Sequence, residues 1–313
     1  MKKKQKMIFL ILEKITMMIS SMTRFESCWR ISTFFLLCCF CLNGQQDKND
    51  FKGFDPGQKV SQSEKELYFQ RLETINSINT IKIRKNLSVA KQVKRYLGFS
   101  SLPYTMGKAD FYFYFFEKKL RKYGLPEELK YLAVIESAMN PRAKSKVGAM
   151  GLWQFMPNTG VQYGLYHADN VSLFYDPIAS TDAACRYLLY LYKKFKDWEL
   201  VLTAYNYGEG RLLKLIKKTG KKTFWQLQEF LPKETKTYVP SFLAVQYIFN
   251  FYEYHGIQPM KLKLSPQKMS IHKTTQTVRK SILQEGVKKE VFAFLNPHII
   301  GEQVPSGTIY YSL

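Results

Sequence analysis

The sequence predicts a mainly α-helical protein that ends in a small α+β module. Between Glu66 and about Tyr252, apolar residues recur three and four positions apart, and no sustained two-residue alternation is present. Glycine and proline divide this stretch into segments of helical length. After a break at Gln258-Pro259, residues 261–313 follow the order strand, helix, helix, strand.

The predicted helices are bounded by residues that suit helix ends. Gly124 ends the segment 110–122, and Pro126-Glu127-Glu128 suits a first turn, where acidic groups favour the positive end of the helix dipole. That second helix is expected to end near Asn140-Pro141, and Asp176-Pro177 opens a later one. The remaining predicted helices are 198–206, 211–217 and 234–252.

Composition limits the class of protein. The chain has 313 residues, 46% of them hydrophobic, so it can bury a sizeable core and global disorder is excluded. Four of the five cysteines lie within the first 41 residues, which leaves the later Cys185 without an intrachain disulfide partner in the body of the protein. No Cys/His cluster has metal-ligand spacing, so a structural zinc site is not expected. No other metal and no cofactor is expected either.

The N-terminal segment, residues 1–44, has the features of an export signal. Arg24 and Arg30 precede the apolar stretch 31–42, and the small residue Gly44 marks a cleavage point. The apolar stretch is shorter than a transmembrane helix needs. Met22 as the true start would leave a signal of ordinary length, and the cysteines of the stretch offer a lipid anchor as the alternative. We expect a protein of the periplasm or cell envelope, with outer-membrane association left open.

Basic charge indicates the class of partner. With 47 basic and 25 acidic residues, the chain carries a formal net charge of +22, which favours anionic partners. An exported basic protein meets the cell wall or an anionic membrane face. A basic nucleic-acid-binding protein would need the same charge, but that alternative leaves the export signal unexplained. A solvated helical exterior that serves only solubility is the other explanation of the lysines.

Glu136 is the first candidate for a catalytic group. It ends the apolar run 131–135, and the next acidic residue is Asp169. A carboxyl at the end of a buried helix face is desolvated, which raises its pKa toward the value that a general acid needs near neutral pH. The alternative is a structural salt bridge from Glu136 to Arg142 or Lys146.

The residues that follow Glu136 suit a sugar. They supply flat apolar surface, neutral hydrogen-bonding groups and closely spaced glycines, and no phosphate-binding loop with a lysine is present. A neutral, aromatic, amide-rich cleft around one carboxyl favours a glycan over a phosphate. The side chains with these properties are Ser145, Trp153, Gln154, Phe155, Met156, Asn158, Tyr163, Tyr205 and Asn206.

Several separate motifs follow one another along the chain. They are Glu136-Ser137, Ser145, residues 148–157 (GAMGLWQFMP), residues 204–208 (AYNYG), Glu234-Thr235 and Tyr238-Val239-Pro240. In order and spacing, across about residues 85–253, they resemble the catalytic domain of the soluble lytic transglycosylases, glycoside hydrolase family 23, and most of all its membrane-bound murein transglycosylase D branch.

This resemblance implies a fold and a reaction. It implies a lysozyme-like helical catalytic domain over residues 85–255, preceded by a linker and an N-terminal helical extension over 45–84. The substrate would be peptidoglycan glycan strands, cut by a monomer at the β-1,4 bond between N-acetylmuramic acid and N-acetylglucosamine, with a 1,6-anhydro end as product. Glu136 would protonate the glycosidic oxygen and then take the proton of the muramic C6 hydroxyl as that oxygen attacks C1.

The resemblance also implies roles for residues around Glu136. Ser145 and Gln154 would contact substrate near the cleaved bond, and Tyr205 and Asn206 would orient Glu136 or the acetamide. Glu234 and Tyr238 would line the cleft on the peptide side. The full set of expected substrate-binding residues is Ser145, Gly151, Gln154, Phe155, Met156, Tyr205, Asn206, Glu234 and Tyr238.

Two alternatives stay open on the sequence. Ordinary glycosidases flank the bond with a pair of carboxylates, and the acid-free run after Glu136 favours a single one. If Asp169, Asp176 or Glu209 folded close to Glu136, a hydrolytic muramidase would be favoured instead. A non-catalytic peptidoglycan-binding scaffold is the alternative from another class of protein.

The C-terminal module contains three short motifs, which are Leu295-Asn296-Pro297, Val304-Pro305 and the strand 307–313. In these residues it resembles a degenerate LysM domain, a peptidoglycan-binding unit. The other expectation for residues 261–313 is a small structural cap.

Overall fold

A computed structural model of the chain describes residues 59–262 and 268–312. The export signal predicted for residues 1–44, with its lipid-anchor alternative, lies outside the described residues. Within the described residues, no helix combines the length and the apolar character that crossing a membrane requires.

Helices account for most of residues 59–255, and three of the short helices in this described range are 3-10 helices. The α-helices are α1 Gln62–Asn76, α2 Leu87–Leu97, α3 Leu102–Lys122, α4 Leu132–Ser137, α5 Pro157–Gln162, α6 Pro177–Phe195, α7 Trp198–Tyr207, α8 Glu209–Thr219, α9 Phe224–Leu227 and α10 Lys233–Phe251. The 3-10 helices are Glu127–Tyr131, Gln228–Phe230 and Tyr252–His255. The mainly helical fold that the sequence predicts is confirmed.

Side-chain caps fix where several helices begin. Ser61 and Glu64 form a capping box at α1, and Asp197 accepts from the backbone N–H of Leu200 at the start of α7. Asp176 caps α6, where Pro177 occupies the first turn, as the sequence predicts. The caps bind backbone N–H groups that a helix leaves without partners.

Two helix boundaries differ from the prediction. α3 begins at Leu102 rather than at Asp110, because Pro103 suits its first turn and Leu102 and Met106 are buried. The helix after Pro126 begins as a 3-10 turn and its α-helical part ends at Ser137, before the predicted stop near Asn140-Pro141.

α10 is the central helix of the core. Every residue from Tyr238 to Ile248 is buried, and the helix packs against α2, α4 and α7. Because α10 is enclosed on most sides, its side chains near Tyr238 are held in fixed positions beside α4.

The C-terminal module has the predicted order of strand, helix, helix and strand. β1 Lys268–Ile271 pairs antiparallel with β4 Ile309–Ser312, with Ile271 opposite Ile309. Between them lie α11 Val278–Glu285 and α12 Lys289–Leu295. A second short antiparallel pair, β2 Gln276–Thr277 with β3 Gln303–Val304, was not predicted.

The module is hydrogen-bonded to the helical part. The backbone N–H of Ser172 donates to the carbonyl of His298 at 2.8 Å, and that of Ile300 donates to the carbonyl of Asn170 at 2.9 Å. The Tyr112 hydroxyl also donates to the carbonyl of Phe294 at 3.3 Å. These bonds place the segment after α12 against the loop before α6.

Candidate active site

Glu136 lies one residue before the end of α4. Leu132, Ala133 and Val134 of the same helix are buried in the core, whereas Glu136 is half-buried. After Ser137 the chain passes through Ala138 and Met139 with φ angles of 47° and 59°. Left-handed backbone is disfavoured for residues other than glycine, so two such residues in succession require support from their surroundings. They turn the chain sharply just beyond the carboxyl group.

The following loop is tied back to α4 by Ser137. Its buried hydroxyl lies 2.9 Å from the carbonyl of Ala133 and 3.0 Å from that of Leu152. Leu152 belongs to the loop of residues 140–156, so this contact fixes that loop beside Glu136.

Tyr238 of α10 donates a hydrogen bond from its hydroxyl to Oε1 of Glu136. Burial raises the pKa of Glu136 to about 7; the Tyr238 bond acts against that rise, and the charge of Glu234 adds to it. Because desolvation dominates, the pKa of Glu136 lies near neutral pH. That property suits a general acid.

Two further phenols lie within electrostatic reach of Glu136. Burial raises the pKa of Tyr205 and of Tyr96, and the negative charge of Glu136 adds to both shifts. The Tyr205 hydroxyl donates to the carbonyl of Trp153 at 2.7 Å, which joins α7 to the loop. The sequence reasoning missed Tyr96, because a tyrosine on an amphipathic helix such as α2 is indistinguishable from a core residue.

The three carboxyl groups that the sequence offered as partners of Glu136 are bound elsewhere or exposed to solvent. Oδ1 of Asp176 accepts from the backbone N–H groups of Ile178 and Ala179, at 2.8 Å each. Glu209 pairs with Lys194, and Asp169 is exposed. The carboxylate whose charge reaches Glu136 is that of Glu234, one turn before Tyr238 on α10.

The part of the chain that contains Glu136 is similar to known proteins. The family described as the transglycosylase SLT domain matches residues 113–228. The chain is 39% identical to the membrane-bound lytic murein transglycosylase D of Escherichia coli (strain K12) over 182 residues, which are 56% of this chain and 40% of the relative.

Other relatives share the same region. The soluble lytic murein transglycosylase of Escherichia coli (strain K12) is 31% identical over 37% of this chain and 19% of its own length. Among solved structures, the 70 kDa soluble lytic transglycosylase of Escherichia coli is similar with a TM-score of 0.41 and 20% identity, over 62% of this chain and 38% of that chain. The chain spans about two fifths of the length of its murein transglycosylase D relative.

The polar side chains that the sequence predicts to contact substrate from the loop of residues 140–156 form hydrogen bonds within that loop. The Ser145 hydroxyl accepts from the backbone N–H of Ala149 at 2.9 Å. The Gln154 amide donates to the carbonyl of Gly151 at 2.8 Å and to that of Ala143 at 3.3 Å. Gln154 also has a φ of 46°, which makes it the third residue other than glycine in this region with left-handed backbone. The loop is therefore held in a disfavoured conformation by its own hydrogen bonds.

Gly151 has a packing role at its position. A Cβ there would lie 2.0 Å from the carbonyl oxygen of Phe174, and the φ of Gly151 is 80°. Both facts require glycine, because only glycine allows the backbone to approach so closely in this conformation.

The remaining predicted side chains differ in accessibility. Phe155 is 2% exposed and packs against Tyr205, so its ring lies behind the site, whereas Met156 is 44% exposed. Asn206 accepts from the Thr235 hydroxyl at 2.8 Å and so joins α7 to α10. Glu234 is exposed. Glu136, Tyr205, Glu234 and Tyr238 therefore form one electrostatically connected group, while Phe155 supports it from the core.

Proposed function

We propose that the chain is a peptidoglycan lytic transglycosylase in which Glu136 is the single acid and base. The observation that carries the proposal is the Glu136 carboxyl, whose burial raises its pKa to about 7 beside the Tyr238 hydroxyl. It lies within the SLT domain, residues 113–228, and relatives of that domain are named lytic murein transglycosylases.

In the first step, Glu136 donates its proton to the glycosidic oxygen between N-acetylmuramic acid and N-acetylglucosamine. With a pKa of about 7, roughly half of the enzyme holds this proton at pH 7. The C1–oxygen bond breaks, and the N-acetylglucosamine part leaves with its new hydroxyl. The Tyr238 hydroxyl then stabilises the carboxylate that remains on Glu136.

In the second step, the C6 hydroxyl oxygen of the muramic residue bonds to C1. Glu136 takes the hydroxyl proton, which returns the carboxyl to its starting form and leaves a 1,6-anhydro ring. No water is consumed, so no second carboxylate is needed to activate one.

The surrounding residues would bind the glycan. Ser145 and Gln154 contact the substrate near the cleaved bond, Gly151 and Met156 line the cleft there, and Phe155 supports it from behind. Tyr205 and Asn206 orient the acid or the acetamide, and Glu234 lies on the peptide side. We further propose that the protein works as a monomer in the cell envelope. Binding of peptidoglycan by residues 261–313 stays a prediction from the LysM resemblance.

The test compares the wild-type protein with Glu136→Gln on purified sacculi. Mass spectrometry of the released muropeptides should find 1,6-anhydro ends with the wild type and at least a hundredfold less product with the variant. Glu229→Gln, at an exposed glutamate paired with Lys236, is the matched control and should act as wild type. Undiminished release by Glu136→Gln would refute the assignment.

A hydrolytic muramidase is the second candidate, because the charge of Glu234 reaches Glu136. The same spectra distinguish the two reactions. Hydrolysis leaves a reducing muramic acid end, which is heavier than the 1,6-anhydro end by the mass of one water. A protein that binds sacculi and releases nothing would instead be a scaffold.

A further inference from the structure

Arg142 connects the loop after Glu136 to the C-terminal module. Its Nε donates to the carbonyl of Pro297 at 2.9 Å, and its Nη2 donates to the carbonyl of Ile299 at 2.5 Å. Its own backbone N–H donates to the Asn140 side chain at 3.0 Å. A planar guanidinium that binds two fixed acceptors is held in one orientation. The salt bridge to Glu136 that the sequence allowed is therefore replaced by a contact with the module.

The residue next to Arg142 holds the inner part of the loop. The carbonyl of Ala143 accepts from the backbone N–H of Gly151 at 2.9 Å and from the Gln154 amide at 3.3 Å. Because Gln154 has left-handed backbone, its conformation depends on such bonds. A continuous path of hydrogen-bonded neighbours thus runs from the module through Arg142 and Ala143 to Gln154.

The acceptors of Arg142 are fixed independently of it. His298, between Pro297 and Ile299, accepts from the backbone N–H of Ser172 at 2.8 Å through its carbonyl. Ile299 forms an isolated antiparallel bridge with Val171. The segment 297–299 is therefore anchored to the loop before α6, and it can support Arg142 without relying on it.

We propose that Arg142 is a positioning residue for Gln154, and that residues 297–299 of the C-terminal module are part of the support of the active site. This inference rests on the proposed function in one respect, the substrate contact given to Gln154. Loss of the Arg142 contacts frees residue 143 and lets the Gln154 amide move, and displacements of about 1 Å at such groups can lower a rate by about a hundredfold. The module thereby acts on catalysis through Arg142 and the loop that carries Gln154.

A double-mutant cycle on the full chain tests the path. Arg142→Ala, Gln154→Ala and the double variant are compared with wild type for kcat and KM in the release of muropeptides from sacculi. We expect Arg142→Ala to lower kcat about tenfold and Arg142→Lys to lower it less, because lysine retains a charged donor. In the Gln154→Ala background, Arg142→Ala should change kcat by less than about twofold. Losses that multiply in the double variant would overturn the inference.

Hydrogen–deuterium exchange gives a readout that does not need activity. In Arg142→Ala the backbone amide of Gly151 should exchange at least about tenfold faster than in wild type, with the melting temperature recorded for each variant. Arg279→Ala, at an exposed arginine of α11, is the matched control and should leave both readouts unchanged. Unchanged protection of Gly151 in Arg142→Ala would overturn the inference whether or not the protein cleaves sacculi. If the wild type cleaves sacculi but the Gly151 amide is equally protected in Arg142→Ala, the proposed function is retained and the role of Arg142 is rejected.

Discussion

At the scale of single residues, two groups act on the Glu136 carboxyl with opposite signs. The Tyr238 hydroxyl binds the charged form and lowers the pKa, whereas the negative charge of Glu234 raises it. Burial outweighs the hydrogen bond, so the net pKa lies at about 7.

Substitutions of these two groups should move the pH profile in opposite directions. The alkaline limb of kcat/KM reports loss of the Glu136 proton in the free enzyme. Tyr238→Phe removes the bond that lowers the pKa, so this limb should move to higher pH, with a lower rate at its plateau. Glu234→Gln removes the charge that raises the pKa, so the limb should move to lower pH. A rate profile from pH 5 to 9 checks both, and shifts of the same sign in the two variants would contradict the assignment.

Burial of Glu136 also predicts a dependence of stability on pH. Its pKa is raised from 4.5 to about 7 on folding, so between these values the folded state binds more protons than the unfolded state. Wild-type stability therefore falls relative to Glu136→Gln as the pH rises from about 4.5 to 7, by on the order of 2 kcal/mol. Urea unfolding of both proteins at pH 4.5 and pH 8 measures this difference, and Glu229→Gln serves as the control. A constant difference would exclude a buried proton at Glu136.

At the scale of elements, the loop of residues 140–156 depends on one close approach. Gly148 and Gly151 both have left-handed φ angles, but a Cβ at Gly148 meets nothing within 4 Å, whereas one at Gly151 would lie 2.0 Å from the Phe174 carbonyl. Gly148→Ala should cost about 1 kcal/mol of backbone strain, and Gly151→Ala should cost at least about 3 kcal/mol because the loop must move. Chemical denaturation of the pair checks this ordering. Equal losses in the two variants would show that the Phe174 contact is not rigid.

Helical elements could be predicted because each leaves a local signal. The Asp176-Pro177 start of α6 and the segment carrying Glu136 follow from capping residues and apolar spacing. The left-handed exit through Ala138 and Met139 left no such signal, because neither residue type favours that conformation. The contacts of Tyr96 and Arg142 also could not be predicted, since they join segments far apart in sequence.

At the scale of the whole molecule, the junction with the C-terminal module contains a buried histidine. His298 lies between the carbonyl of Ile309, 2.7 Å from its Nε2, and the Asp176 carboxyl, 3.8 Å from its Nδ1. Burial lowers the pKa of His298, the Asp176 charge opposes this, and the Arg142 charge adds to it.

This histidine predicts a pH effect opposite in sign to that of Glu136. Below pH 6.5, the ordinary pKa of histidine, His298 takes up a proton in the unfolded chain but not in the folded protein. Wild type should therefore lose stability relative to His298→Gln as the pH falls from 7 to 5, whereas it gains relative to Glu136→Gln over the same interval. Melting temperatures of the three proteins at pH 5, 6 and 7 check the two signs. A wild type that gains stability relative to His298→Gln as the pH falls would contradict the burial of neutral His298.

Helix α10 has a practical consequence for anyone who shortens this protein. The matched SLT domain stops at residue 228, whereas the phenol that donates to Glu136 and much of the surrounding core come from Lys233–Phe251. A fragment that ends at residue 228 would contain Glu136 without the Tyr238 hydroxyl that donates to it. It would also expose apolar surfaces of α2, α4 and α7 to water. Such a fragment should aggregate on expression, and its failure would reveal nothing about catalysis.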